Sequence, residues 1–444
     1  MLTYDMEERG KLSRYDYLYR RIKADILEGR VPSGYRLPSK RALSQHLGVS
    51  VVTVENAYFQ LLCEGYITAK ERSGYYVSQA EELPPMPAFL PIEREKEPKK
   101  RVWKYDFASN SISDKYFPFS VWSRLMREVL SFGGEELLRR SAFNGEYALR
   151  KAISDYLLHS RGICAPPENI VVGAGTEYLY GLLIQLLGRD RVYAVENPSY
   201  QKIRQIYNAN GAKVAALNLD KQGVKTEELY ACNASVLHIS PSHHYPTGVV
   251  TGFTRRSELL SWANKVDGYV IEDDYDSEFR MTGKPIQPMQ ALDKGGRVIY
   301  INTFSKTLAP SMRIGYMVLP SALMRAFSEK LGFYSCAVPN FEQLTLAKFI
   351  ERGHFERHLS RMRTAYRKKR DEVISLFLNS GYPLEILEEH AGLHFLVRLK
   401  TEKTDEEIRR IAAEQGVRLA FLSDFTATAY VAMQHCIVVN YSGL

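Results

Sequence analysis

An apolar run, Val298-Ile299-Tyr300-Ile301, opens directly into Asn302-Thr303-Phe304-Ser305-Lys306-Thr307, and Arg313 follows seven residues after the lysine. No other stretch of the 444 residues restricts the fold as strongly. The run reads as a buried strand; beyond its end a lysine sits among hydroxyls with a fixed cation close behind. That arrangement suits an amine condensed as a Schiff base with the aldehyde of pyridoxal phosphate (PLP), with Thr303, Ser305 and Arg313 on the phosphate. A lone Ser-Lys-Thr is weak, because a solvated loop lysine has the same sequence. Other strand ends decide between the two.

Tyr269-Val270-Ile271 runs into Glu272-Asp273-Asp274-Tyr275-Asp276, a buried strand ending in carboxylates. A protonated PLP ring nitrogen requires a carboxylate partner, and Asp273 is the best placed, with Tyr275 near the phenolic oxygen. Asp274 and Asp276 are expected to be solvated turn residues. Asn169-Ile-Val-Val-Gly-Ala-Gly-Thr-Glu177 passes from a short strand through glycines into a helical pattern. Such a turn aims backbone N–H groups at an anion, so the amides of Gly175, Thr176 and Glu177 are assigned to the phosphate. Tyr200, after the strand Val192–Val195, is placed to stack on the pyridine ring. In the loop Ser240–Gly248, His243 is preferred to His244 as donor to O3′, with a plain surface histidine as an equal alternative.

With these five motifs in order, the chain from about Lys104 to its end resembles a fold-type I PLP enzyme of the aspartate aminotransferase superfamily. The resemblance implies Lys306 as the Schiff-base lysine, Asp273 on the pyridine nitrogen and Tyr200 as the stacking ring. The strand–helix alternation from about residue 150 to 320 implies an α/β fold: a mostly parallel seven-stranded sheet with the ligand at the strands' C-terminal ends. A smaller C-terminal α/β subdomain is expected beyond about residue 325. Two departures stand out. Aminotransferases place a carboxylate-gripping arginine in the last strand, where this sequence has Val438. The sequence also stops at Leu444, before the usual closing helix, so a shortened chain or a reduced subdomain is expected.

The N-terminus follows another pattern. Tyr15, Leu18, Tyr19, Ile22, Ile26 and Leu27 recur at helical spacing before Gly29. Ser39 can cap a short second helix ending at Gly48, and Ser50 a third whose apolar face is Val54, Ala57, Tyr58, Leu61 and Leu62. That is a helix-turn-helix layout, and Gly65–Val77 alternates around Ser73-Gly74 as a two-stranded wing. Residues 11–52 hold nine Lys/Arg against three acids, an electrostatic footprint for DNA. Arg36, Ser39, Lys40, Arg41, Ser50, Thr53 and Arg72 are the candidate contacts to double-stranded operator DNA. The segment resembles the winged helix of GntR-type regulators. It departs at Val51, where that family usually has a polar or basic residue.

The two halves together resemble MocR/GabR-type transcriptional regulators. Residues 11–78 are expected to bind DNA, 79–103 to form a proline-rich tether, and 104–444 to form the PLP-binding effector domain. The resemblance implies a regulator sensing PLP, with a small amino compound as a second candidate effector, and a homodimer in which each winged helix packs on the partner chain. Sensing rather than turnover is expected, with a residual transaminase half-reaction kept open. The alternatives are an aminotransferase with an accessory winged helix and a cofactor-free dimerisation scaffold. No run approaches the roughly 20 apolar residues of a membrane span, and Met1–Gly10 is too charged for a secretory leader. Five dispersed cysteines without metal-ligand spacing fit a reducing cytoplasm and no bound metal. The basic run Arg352–Arg370 is read first as a solvated helical face, and second as a further surface for DNA.

Overall fold

Three serines start the three helices of the N-terminal unit. Ser13, Ser39 and Ser50 accept the N–H groups of Asp16, Ala42 and Thr53 at 3.3, 3.2 and 3.1 Å, each pairing an amide that the helix leaves unsatisfied. They open α1 (Arg14–Leu27), α2 (Lys40–Leu47) and α3 (Val51–Cys63). Gly48 ends α2 in the left-handed region, φ 64°, where a side chain would be strained; the chain can therefore turn sharply into α3. β1 (Ile67–Lys70) and β2 (Gly74–Val77) pair antiparallel, Ile67 opposite Val77, and form the wing. The turn lies slightly earlier than expected, with Arg72 at φ 55°. Leu18, Ile22, Leu43, Val54, Tyr58 and Leu61 fill the core.

Three residues of the apolar repeats face outward instead. Leu27 is 58% exposed, since it falls roughly 160° round α1 from the Leu18/Ile22 stripe. Tyr15 lies in the first turn, and Leu62 on the flank of α3; both are exposed.

In this computed structural model, residues 2–78, 102–281, 283, 286–388, 392–427 and 433–444 are described. The chain divides into Met1–Lys99 and Lys100–Leu444; residues 79–101, most of the expected tether, lie outside the described residues. The second unit begins with β3 (Tyr105–Asp106). Its main sheet takes β4 (Ile170–Gly173), β5 (Val192–Asn197), β6 (Lys213–Asp220), β7 (Gly223–Val224), β8 (Val236–Ile239), β9 (Tyr269–Asp273), β10 (Val298–Thr303) and β11 (Gly315–Val318). The order is β4-β11-β10-β9-β8-β5-β6-β7. β10-β9-β8-β5-β6 are mutually parallel, while β11 runs antiparallel to both β10 and β4. The sheet thus has eight strands rather than seven, the extra one being the two-residue β7 that folds back on the edge of β6.

β10 is buried along its whole length and β9 from Val270 onward, as the unbroken apolar runs require. Two apolar layers cover the sheet, one around Leu179, Leu183 and Phe327, the other around Tyr300, Phe304 and Phe355. The expected smaller part is present: β12 (Leu384–Leu387), β13 (His394–Leu399) and β15 (Cys436–Asn440) form an antiparallel sheet, while β14 (Val417–Arg418) pairs with β3. The basic helix runs His354–Leu378, and Arg352 belongs to the end of the helix before it. Arg352 pairs with Glu128, Arg370 with Asp371, and Arg363 donates to the Glu278 carbonyl, so these three are engaged within the unit.

Candidate functional site

The C-terminal ends of β5, β9 and β10 open on one cavity. Its wall includes Asn110, Thr176, Glu177, Tyr180, Glu196, Tyr200, His238, His244, Tyr245, Asp273, Tyr275, Thr303, Ser305, Lys306 and Arg313. Nine of the eleven residues assigned from sequence therefore meet there. Parallel pairing explains this: Ile301 registers with Asp273 across β10 and β9, so both strands release their loops at one level.

Asp273 is held at its rear. Tyr180 donates to Oδ2, and His238 Nε2 lies 3.4 Å from the same oxygen. His238 Nδ1 is 2.6 Å from the Tyr207 hydroxyl, which as donor leaves the proton on Nε2. Oδ1 is buried with no partner. A buried carboxylate oxygen without a donor is costly, and a protonated ring nitrogen in the cavity would satisfy it.

Lys306 Nζ donates to the side-chain and backbone oxygens of Asn110, the former at 2.6 Å. Burial lowers its pKa to about 8, opposed by the negative charge of Asp276. At neutral pH roughly a tenth of the amine is then unprotonated, a far larger nucleophilic fraction than an exposed lysine offers.

The cavity end expected to take the phosphate is cationic. Gly175 adopts φ 88°, and a Cβ there would stand 3.1 Å from the Arg313 guanidinium, so only glycine lets the backbone approach. Gly175 precedes the helix Thr176–Leu187, whose first amides have no side-chain cap and face outward with the positive end of the helix dipole. Thr303 and Ser305 hydroxyls lie 2.9 Å apart. Glu177 pairs with Arg313 at 3.1 Å and Lys202 at 3.0 Å, leaving an excess of positive charge. The orphaned Asp273 oxygen, the amine and the cationic end beside Gly175, which itself stands just behind the cavity wall, fit PLP at its nitrogen, aldehyde and phosphate respectively.

Two expectations change. His243 does not line this cavity; its ring turns away to pair with Asp276, Nδ1 to Oδ2 3.0 Å, against Gly392 and His394. Asp276 is buried and needs a donor, so its neighbour His244 takes the place on the wall. Asp274 and Asp276 are also not solvated. Asp274 is sealed in a pair with Arg161 at 2.5 Å, and the Tyr300 hydroxyl donates to it at 2.7 Å. Val438 is fully buried among Tyr245, Leu396 and Leu422.

The sequence reading also missed Asn110, Tyr180, His238, Glu196 and Tyr245. His238 carried a signal, an imidazole inside the apolar run Val236–Ile239. Tyr180 lies one turn beyond Thr176, on the same helix face. Asn110 had none, as it comes from a loop 196 residues away in sequence. Burial raises the Glu196 pKa to about 8 and lowers that of His244 to about 3, so both are largely uncharged at neutral pH.

On the N-terminal unit, Arg36, Arg41 and Arg72 are exposed. Lys40 is instead paired with Glu55 at 2.5 Å and lies over the Tyr75 ring. The Ser39 and Ser50 hydroxyls are used as caps, and Thr53 Oγ1 lies 2.8 Å from Ser50 Oγ.

A winged helix and an aminotransferase-type domain in one chain define a regulator built on the fold of a PLP-dependent enzyme. Residues 14–77 match the model of the bacterial regulatory proteins of the gntR family. The HTH-type transcriptional regulator YdeL of Bacillus subtilis is 38% identical over 409 residues, covering 91% of this chain and 88% of its own. The probable rhizopine catabolism regulatory protein MocR of Rhizobium meliloti is 33% identical over 442 residues, covering 95% and 89%. Kynurenine aminotransferase of Pyrococcus horikoshii, solved with PMP, has a TM-score of 0.67 at 25% identity, covering 78% of this chain and 87% of that one. The chain belongs to the MocR-type family of helix-turn-helix transcriptional regulators. Among the described residues no helix is long and apolar enough to cross a membrane.

Proposed function

We propose that this protein binds operator DNA through its winged helix and holds PLP in the cavity of its larger unit as a sensed ligand. The observation that carries the reading is the buried, unpartnered Oδ1 of Asp273, in one cavity with a pKa-lowered lysine and the Arg313 guanidinium, which lies against Gly175. When bound, PLP supplies an aldehyde for the lysine and an electron-withdrawing ring. Lys306 would hold the aldehyde carbon, Asp273 the ring nitrogen and Tyr200 the ring. Tyr275 would serve the phenolic oxygen. Thr303, Ser305, Arg313 and the amides of Gly175, Thr176 and Glu177 would hold the phosphate.

Sensing is favoured over turnover by the apolar packing of Val438, which leaves that strand without a carboxylate grip. A small amino compound as co-effector and a homodimer with exchanged winged helices belong to the same reading. The test is DNA binding by the purified chain with and without PLP, alongside its absorbance spectrum. An affinity for DNA indifferent to a PLP load visible in the spectrum would overturn the sensing role.

Two further results are expected. The rate of PLP uptake should rise about tenfold per pH unit below pH 8 and level off above it, because only the neutral amine attacks. Asp276→Asn removes a charge that raises the lysine's pKa and should shift that midpoint to lower pH; stopped-flow absorbance reads both. On the DNA side, Arg41→Ala should reduce the slope of log affinity against log salt by about 0.9, one phosphate contact. Lys40→Ala should weaken binding further, since it exposes the unpaired Glu55 to the phosphates; titrations at several salt concentrations check both.

A further inference from the structure

The recognition helix α3 carries no basic residue. Among its 13 residues the one charged side chain is Glu55, which Lys40 neutralises. Its buried stripe is Val54, Ala57, Tyr58 and Leu61. At about 100° per residue, the stripe opposite is Val52, Asn56 and Phe59, while Val51 lies about 100° round from Val52, on the Glu55 flank of the first turn. Val51 is 42%, Val52 61% and Phe59 63% exposed. An apolar face held open to water marks a surface that is covered in use.

What covers it follows from the rim. Arg36, Arg41 and Arg72 are exposed on the same unit, and the Lys40–Glu55 pair sets the start of α2, which carries Arg41, against α3; exposed cations beside an uncharged helix face suit a phosphate backbone flanking a groove. In the major groove guanine is read by arginine or lysine, adenine by asparagine, and thymine by apolar contact with its C5 methyl. The helix has none of the first kind and both of the others. We propose that Val51 and Val52 read thymine methyls and Asn56 reads adenine, so that the operator core under α3 consists of A·T pairs. The inference rests on the operator-binding role proposed above.

Duplexes enriched from a random pool by the full-length protein define that core. Replacing one thymine at a time by deoxyuridine then removes single methyl groups. With the wild-type chain, one or two positions per half-site should lose about fourfold in affinity, the worth of one buried methyl. The loss should shrink in V51A/V52A, which keep only the β-carbons and whose exposed positions leave the core of the unit untouched, and should persist in V52T, which keeps a γ-methyl. A flat uracil scan, an equal uracil penalty in V51A/V52A, or an enriched core of G·C pairs would overturn the proposal. Retention of no duplex at all would overturn the operator-binding reading, and this inference with it.

Discussion

Lys306→Ala is expected to abolish the absorbance band at about 410–430 nm that a lysine-linked PLP gives. The loss should be complete rather than graded, because the lysine supplies the one covalent attachment. The groups proposed to hold the phosphate, Thr303, Ser305, Arg313 and the Gly175 turn, are unchanged in the variant, so PLP should still bind, reversibly and with the spectrum of the free aldehyde. Asp273→Ala tests the other end: Lys306 remains, so the band should form, but without a carboxylate at the ring nitrogen it should respond differently to pH. A full-strength band in Lys306→Ala would move the attachment to another lysine and undo the assignment of this cavity.

Arg161→Met is expected to destabilise the larger unit by about 3–5 kcal/mol, the cost of leaving one member of a buried ion pair without its partner. Arg161 and Asp274 side chains are 3% and 0% exposed and lie 2.5 Å apart. Tyr300 would then supply the hydrogen bond to the Asp274 carboxylate with Arg256 as a more distant cation, and Glu278 close by raises the cost of a second negative charge. The double variant Arg161→Met/Asp274→Asn should recover much of the loss, as no buried charge is left unpaired. Denaturant titrations of both variants decide it; a single variant within about 1 kcal/mol of wild type would show that water reaches Asp274.

Arg161 and Asp274 show why part of the large unit was not legible. Asp274 follows Asp273 in a run of acids, which reads as a solvated turn, and nothing in the local sequence points to a cation 113 residues away. His243 and His244 pose the same problem. Neighbours in sequence leave a loop on opposite sides, and the buried charge of Asp276 decides which one turns from the cavity. The strand ends themselves were legible, since a buried parallel strand needs an apolar run and its ligand-facing end needs polar groups.

The sequence by itself determined the helix-turn-helix, with its three serine caps and Gly48, and the strand-end set of Lys306, Asp273, Thr303, Ser305 and Arg313. These are local signals: a cap, a left-handed turn and a hydroxyl-flanked lysine act within a few residues. Only the tertiary structure decided what surrounds them. It placed Asn110 on Lys306, put Tyr180 and His238 behind Asp273, neutralised Lys40 with Glu55, and left Val51 and Val52 uncovered on α3. Each of these depends on which segments the sheet or the three-helix core brings side by side. Burial and charge compensation are settled by neighbours in space, and the order of residues along the chain does not encode them locally.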